Sequence, residues 1–590
     1  MSAEAKHHLI FSIGPVQSYI AQARKAHDLY AGSRILSNLV SHAMSGLPKG
    51  SQVRFPAEGL DSMPNRFLAG VATADPQGLG QGIESMVRSK YTEMMEASLK
   101  DNVKGGLPPA ARSQWEEFLQ ISWAALPEGG KGYHEDYLAA EIAIGAVKRL
   151  KPFGQANEPA GRKCGLCGER NALFMRPGLD ASGREKKLPA HLEPAALKVH
   201  DPVLAPGEGL CAVCFGKRCL KGKDEYKTTA EVAMGHLFKD QAFRDLVGRY
   251  QGLFPQGLYD HDLLYEENIE EASLVRLGLE SMRSKSKREE LEEALGKVKD
   301  HIKGKKLGKL NKYYAVVRLD GDGMGRLLSG EFLADKGKLA EFHGVLSKAL
   351  AGFATAAQEG FRRHGQVIYA GGDDFLALAS LHELPAALQM LHDAFRDNVS
   401  AQIGPMLVPD AKATASMGVA IAHYKAPLAR ALEASLAAER AAKGREGKNA
   451  LGVRVIRHSG GETSTVLSLP DGIEMINRMA GALRRGDYSN SFIGGLERSI
   501  MKLTGVRQSG GGGDPEPVAD GMLDLLMLEA GLLANRSCGL KDEKERAEVV
   551  ASLISDLKGL TEITGDGKGK FLPGSYLAAL DTIDFLKREA

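Results

Sequence analysis

Four carboxylates and four thiols in this 590-residue chain have the types and spacing to do chemistry. Asp320 and Asp322 lie in R-L-D-G-D-G-M-G, and Asp373 and Asp374 in Y-A-G-G-D-D-F. The apolar run Y-Y-A-V-V-R-L at 313–319 reads as a strand ending at Asp320, and Q-V-I-Y-A and F-L-A-L-A flank the second pair as the arms of a hairpin. With that strand beside the hairpin, both pairs meet at one end of a sheet. Carboxylates gathered there repel one another unless hydrated or shared with divalent cations, and hard Mg²⁺ or Mn²⁺ suits oxygen ligands of this kind. Two such ions can align a sugar hydroxyl with a nucleotide phosphate and stabilise the attacking and leaving oxygens. Gly371 and Gly372 let the backbone turn tightly and approach a bulky triphosphate. Taken singly, G-G-D-D is also a good hairpin turn and D-G-D-G a turn or calcium-type loop. Their combination in this strand order points to a metal site.

The thiols form two C-x-x-C pairs, Cys164 with Cys167 and Cys211 with Cys214, separated by the 43 residues 168–210. Six cysteines are too few for a disulfide scaffold in a chain of this size, whereas four thiolates make a closed tetrahedral Zn²⁺ site whose role is stability. Cys219 is a stray candidate nearby, and Cys538 is expected as a small buried residue.

The elements that must position these groups follow from pattern. Hydrophobic residues are 43% and charged residues 25%, with Lys+Arg 76 against Asp+Glu 74, which excludes a disordered chain and a globally basic nucleic-acid coat. No apolar run is long enough to span a bilayer and the first residues lack a signal-peptide pattern, so the expected compartment is the cytoplasm. H-L-I-F-S-I at 8–13 reads as a strand, followed by a helix with Val16, Ile20 and Ala23 inward. Ser33 reads as the N-cap of a second helix bearing Ile35, Leu36, Leu39, Val40 and Ala43. Residues 85–150 read as mostly helical, 152–222 as a loop-rich module organised by the cysteines, and 223–312 as helical again. The basic end of that stretch, 283–312, reads as a solvated helix plus linker, with an RNA-facing strip as the alternative. From 313 to 456 strands alternate with helices, including 383–403 and 427–443, and strands at 413–422 and 451–456. This predicts an α+β sandwich with helices on one face of a mainly antiparallel sheet. Beyond 465 the chain reads as a helical bundle interrupted by a Gly-rich loop at 509–517.

These segments carry a family resemblance. I-G-P-V-Q-S-Y-I-A-Q-A-R-K-A-H-D-L-Y-A-G-S-R-I-L-S-N-L (13–39), the C-x-x-C pairs, 313–325, Y-A-G-G-D-D-F (369–375) and S-M-G-V-A-I-A-H-Y-K-A-P-L (416–428) closely resemble the large polymerase-cyclase subunit of type III CRISPR effector complexes, particularly the type III-B branch. The resemblance implies an α+β multidomain protein with two ferredoxin-like palm domains related to GGDEF-class cyclases, a zinc module and helical domains. The layout it suggests is a degenerate first palm at 1–155, the zinc module at 156–222, helices at 223–308, the catalytic palm at 309–462 and a helical domain at 463–590. It implies metal ligation and catalysis by Asp320, Asp373 and Asp374, and nucleotide binding by Gly321, Asp322, Gly371, Gly372, Ser33 and Lys448. Lys443, Lys448 and Asn449 resemble the segment that approaches triphosphate in related cyclases.

Many relatives begin with an HD-type nuclease domain; this sequence starts in the first palm, so no cutting of single-stranded DNA is expected. The pairs His27-Asp28, His200-Asp201, His261-Asp262 and His392-Asp393 read as chance. The function implied is an antiviral enzyme that, in a complex with other subunits, guide RNA and target RNA, converts ATP to cyclic oligoadenylate. Three alternatives stand beside it: a nucleotide-binding scaffold without turnover, an enzyme joining AMP to another small molecule, and a free-standing diguanylate-cyclase-like enzyme.

Overall fold

The computed structural model describes residues 6–589 apart from 58–59, 61, 130–131, 151–157, 181–183, 190–191, 193, 198–202, 222–225, 490, 507–520 and 566–570. The loop expected at 509–517 and the His200-Asp201 pair fall largely or wholly outside the described residues.

Two sheets share one topology. The first comprises β1 (Lys6–Gly14), β2 (Gln52–Phe55), β3 (Arg66–Ala72) and β4 (Gln120–Pro127), ordered β2-β3-β1-β4 with every pair antiparallel. Helices Ala26–Ser45 and Pro76–Lys100 make the two crossovers, giving the βαββαβ order of a ferredoxin-like unit. Strand β4 corrects the expectation of helix across 85–150. Its Ala-rich sequence resembles helix, yet Ile121, Trp123 and Ala125 pack into one core while Ala124 and Leu126 pack into another, a period of two that only a strand satisfies. The Ser33 cap is also corrected. The helix begins at Ala26, where Asp28 accepts the backbone N–H groups of Arg24 (2.9 Å) and Lys25 (3.1 Å), and Ser33 lies buried in mid-helix.

A short ladder of β5 (Phe174–Met175) and β6 (Gly209–Leu210) braces the cysteine module, followed by helix Ala212–Cys219. Short helices lead to the long helix Lys285–Lys305, and then to the second sheet: β7 (Tyr313–Gly321), β8 (Gly365–Gly371), β9 (Asp374–Ser380), β10 (Ala415–His423), β11 (Ala450–Ile456) and β12 (Glu462–Ser468). The order is β12-β11-β10-β7-β9-β8, so the run β10-β7-β9-β8, which ends at the sheet edge, repeats the arrangement β4-β1-β3-β2 of the first sheet. Only β10 and β11 pair in parallel. The sheet therefore continues past the boundary expected at 462, and five helices follow it among the described residues.

Helices cover both faces of this sheet, not one. Ala315, Val317 and Leu319 of β7 join the core beneath helices Leu339–Phe361 and Leu384–Phe395, whereas Tyr314 and Val316 join the core shared with the first sheet and with helix Leu428–Gly444. Burial on both sides is why 313–319 reads as an apolar run interrupted only by Arg318. The helix expected at 383–403 is straight only to Phe395, after which one widened turn, Arg396–Ser400, intervenes. Among the described residues, no helix is long and apolar enough to cross a membrane.

Two glycines set how close helix Leu428–Gly444 comes to the sheet. A Cβ on Gly418 would lie 2.4 Å from the Ser435 carbonyl oxygen, and one on Gly452 would lie 2.0 Å from that of Ala438. Substituting Gly452→Ala should push the helix outward and destabilise the protein by about 1–3 kcal/mol. The check is a lowered thermal midpoint alongside an unchanged midpoint for Gly444→Ala, whose Cβ would meet nothing within 4 Å.

Candidate functional site

The acidic residues converge because of strand register. Leu319 of β7 pairs with Phe375 of β9, so Asp320 and Asp374 follow side by side at the strand ends, and Asp373 occupies the turn between β8 and β9. Gly372 takes φ +66° as the first residue of that turn, a conformation open to glycine at little cost. A Cβ on Gly371 would lie 2.9 Å from the Ser62 carbonyl oxygen, so this glycine lets residues of the first unit close over the hairpin. That covering segment is itself anchored by the Met63 N–H donating to Ser37 Oγ at 3.1 Å.

Burial, then the neighbouring Asp320, pushes the Asp373 carboxyl up to about 7. Asp374 sits at the cleft mouth, open to solvent by area, yet the protein packed around it thins the water available to its charge; burial, then Asp373 and Asp320, hold it well above the usual carboxylate range. The Lys443 ammonium donates to Asp320 and lies 3.4 Å from the Gly321 carbonyl oxygen. Burial opposes that charge, but pairing with Asp320 outweighs it and raises the lysine. The Lys443 ammonium and the nearby Arg318 guanidinium face Asp320, Asp373, Asp374 and Glu439, so negative charge is in excess, as a divalent cation would require, although the three aspartates do not stand close enough together to form a ready-made ligand set.

Asp322 is turned to another use. Its carboxylate accepts Thr414 Oγ1–H (2.8 Å), Ser416 Oγ–H (2.9 Å) and the Asn449 N–H (3.1 Å), and it is buried. Lys448 and Asn449 both adopt positive φ, 53° and 45°, so Asp322 holds a strained turn that presents the exposed Lys448. The Asn449 amide donates to the Leu469 carbonyl oxygen at 3.0 Å. Ser33 lines a separate crevice with Tyr30, Arg34, Gln358 and Val367, and none of the acidic residues borders it. Sequence reasoning missed Glu439, which is buried on the same helix as Lys443 and lines a cavity with Asp374 and Arg318. The i, i+4 spacing of Glu439 and Lys443 in E-R-A-A-K was the available signal.

The four thiols of Cys164, Cys167, Cys211 and Cys214 gather with their sulfurs all within 4.8 Å of one another. Gly168 at φ +67° closes the first knuckle, its N–H donating to the Cys164 carbonyl oxygen at 2.9 Å, and Cys211 caps helix Ala212–Cys219. Hydrogen bonding among the sulfurs pulls the Cys167 thiol below its ordinary value and pushes Cys211 and Cys214 up. Four sulfurs this close cannot all ionise without a cation, which is the demand a tetrahedral Zn²⁺ meets. Cys219 is buried outside the cluster beside Arg218, and Cys538 is half-buried opposite Tyr488.

Residues 313–452 match the family described as Cas10/Cmr2, second palm domain, and residues 8–53 match CRISPR-associated protein Cmr2, N-terminal. The CRISPR system Cmr subunit Cmr2 of Pyrococcus furiosus is 25% identical over 562 residues, covering 77% of this chain and 61% of the relative, so the chain spans about three fifths of that protein's length. A chain of the type III-B Cmr-beta complex in its apo state superposes with a TM-score of 0.63 at 15% identity, over 99% of this chain and 82% of that one. A chain of Cmr-beta bound to cognate target RNA gives 0.63 at 14% identity, over 100% and 83%. The structural likeness shows the fold, and the matches bear out the resemblance to the large subunit of type III-B complexes.

Two predictions follow from this geometry. An Asp373 carboxyl raised from 3.8 to about 7 means that metal-free folded protein holds a proton the unfolded chain releases; the stability it contributes is complete below about pH 4 and lost as pH rises through 7. Thermal midpoints of chelator-treated protein should fall across that window, Mg²⁺ should restore them above pH 7, and Asp373→Asn should flatten the profile. For the thiols, elemental analysis should find about one zinc per chain, lost together with stability in Cys164→Ser/Cys211→Ser.

Proposed function

We propose that this chain, carrying a second palm domain of the Cas10/Cmr2 kind, is the nucleotidyltransferase subunit of a type III-B CRISPR complex, converting ATP to cyclic oligoadenylate in antiviral defence when target RNA is bound. The observation that supports it best is the meeting of Asp320 with the acidic hairpin at the end of a ferredoxin-like sheet, with the Lys443 ammonium paired to Asp320. Similarity to Cmr2 and to chains of Cmr-beta, one of them bound to cognate target RNA, supports other Cmr subunits and target RNA as partners, and guide RNA and the cytoplasm belong to the same proposal.

In this reading Asp320, Asp373 and Asp374 would hold Mg²⁺ or Mn²⁺, which would supply positive charge to the oxygens that change charge in the reaction. The Lys443 ammonium, which pairs with Asp320, and the exposed Lys448 on its strained turn are the cations of this chain that would hold the triphosphate. Gly371 and Gly372 keep the hairpin thin enough for the nucleotide to lie against it. The 3′-hydroxyl of one nucleotide attacks the α-phosphorus of the next, the bond to the bridging oxygen breaks, pyrophosphate leaves, and the hydroxyl proton passes to solvent. The cysteines hold a structural zinc away from this chemistry.

The test is incubation of the assembled complex with target RNA, ATP and Mg²⁺, with products identified by mass spectrometry. Asp373→Asn/Asp374→Asn removes charge while nearly keeping shape, so assembly should persist while product falls by about a thousandfold or more, several kcal/mol of lost transition-state stabilisation. Product at the parental rate would place the chemistry elsewhere, and failure to assemble would reduce these carboxylates to a structural role.

A further inference from the structure

The cavity beside Asp374 contains a group that the proposed metal site does not use. It lies in the seam between the two ferredoxin-like units, walled by Val16, Gln17 and Ile20 from the first and by Arg318, Asp374 and Glu439 from the second. Glu439 is only 7% exposed, and among the described residues no hydrogen bond or ion pair reaches its carboxylate. The nearby cations act on it through space without a hydrogen bond: Lys443, one turn further along the helix, donates to Asp320, and Arg318 Nε donates to Ser435 Oγ at 3.1 Å. The Glu439 side chain is mostly covered while its carboxylate oxygens open onto this cavity, so whatever fills the cavity can supply the donor that the protein does not.

The cavity and its charge narrow that donor. Its volume of about 40 Å³ holds a hydroxyl or two to three waters and is far below the several hundred needed for a whole small molecule. An ionised carboxylate accepts only, so the group that fills this small space is an O–H or N–H donor. Asp374 lines the same cavity, so the group that fills it belongs to a molecule seated at the acidic hairpin.

We propose that Glu439 is a specificity-determining residue that accepts a hydrogen bond from a ribose hydroxyl of the nucleotide, so that the site prefers ribonucleotides. This rests on the nucleotide-binding reading above. Gly418, whose Cβ would lie 2.7 Å from that of Glu439, lets the helix bring this carboxylate down to the sheet, and Gln17 closes the cavity from the opposite unit.

Calorimetric titration of the full chain in Mg²⁺ with ATP, 2′-deoxyATP, 3′-deoxyATP and ITP tests it without requiring turnover. The unsubstituted chain should bind ATP about ten- to a hundredfold more tightly than at least one deoxy form, and Glu439→Gln should abolish that preference. Glu439→Asp, which keeps the charge on a shorter arm, should retain part of it and serves as the comparison should the glutamine variant melt early. Equal discrimination in both chains would overturn the inference while leaving the nucleotide site intact. A Glu439-dependent loss with ITP alone would assign the donor to the base amine and also overturn it. No ATP binding by the unsubstituted chain would overturn the nucleotide-binding reading itself.

Discussion

The crowding of Asp320, Asp373 and Asp374 at one sheet end, answered by the Lys443 ammonium paired with Asp320 and by the nearby Arg318, is the interaction around which the rest of this molecule is arranged. Two like charges 4 Å apart repel by about 4 kcal/mol at the effective dielectric near a protein surface. Nothing local would keep three carboxylates together. They stay because β7 and β9 are bound along a ladder whose side chains are buried on both faces, and because the hairpin turn is too short to let its aspartates separate. The opposing cation arrives by a different constraint: Gly418 and Gly452 remove the side chains that would hold helix Leu428–Gly444 away from the sheet.

The first ferredoxin-like unit matches the second in strand order but contributes walls, not charges, to the acidic cleft. Its segment beginning at Val16 borders the cavity beside Asp374, and its residues near Ser62 cover the hairpin. The cysteine module fixes where those walls stand. Lys217, fully buried, donates to the carbonyl oxygens of Tyr19 (2.6 Å) and Gln22 (2.5 Å), the end of helix Gln17–Ala21. Beside it Arg218 pairs with the buried Asp28; burial alone would raise that carboxyl, but the guanidinium and two backbone N–H groups outweigh it and hold it low. Removing either partner would strand a buried charge, so the cysteine module and the first unit are coupled through this pair.

Much of the site was legible because its signals are short-range. A two-residue turn flanked by apolar runs, an aspartate ending a strand and paired C-x-x-C knuckles depend on residues a few positions apart, and the structure brings the four cysteines together as their spacing suggested. Strand β4 escaped because alanine and leucine favour helix when no neighbour decides, and β1 imposes the strand only by pairing with it across more than a hundred residues. Ser33 misled for a related reason: Asp28 takes the capping role, and Arg218, far along the chain, holds Asp28 in place.

By itself the sequence determined the chemical inventory: carboxylates, thiols, lysines, and the turns and strands that carry them. Tertiary structure alone decided their company. Asp320 meets the hairpin and Asp322, two residues away, turns to Ser416 and Thr414, because β7 ends between them and β10 lies alongside. Glu439 faces Asp374 because two glycines on separate strands admit its helix. Register and close packing are set by cooperative contacts among distant segments, and a local pattern cannot encode which distant side chain fills the space beside it.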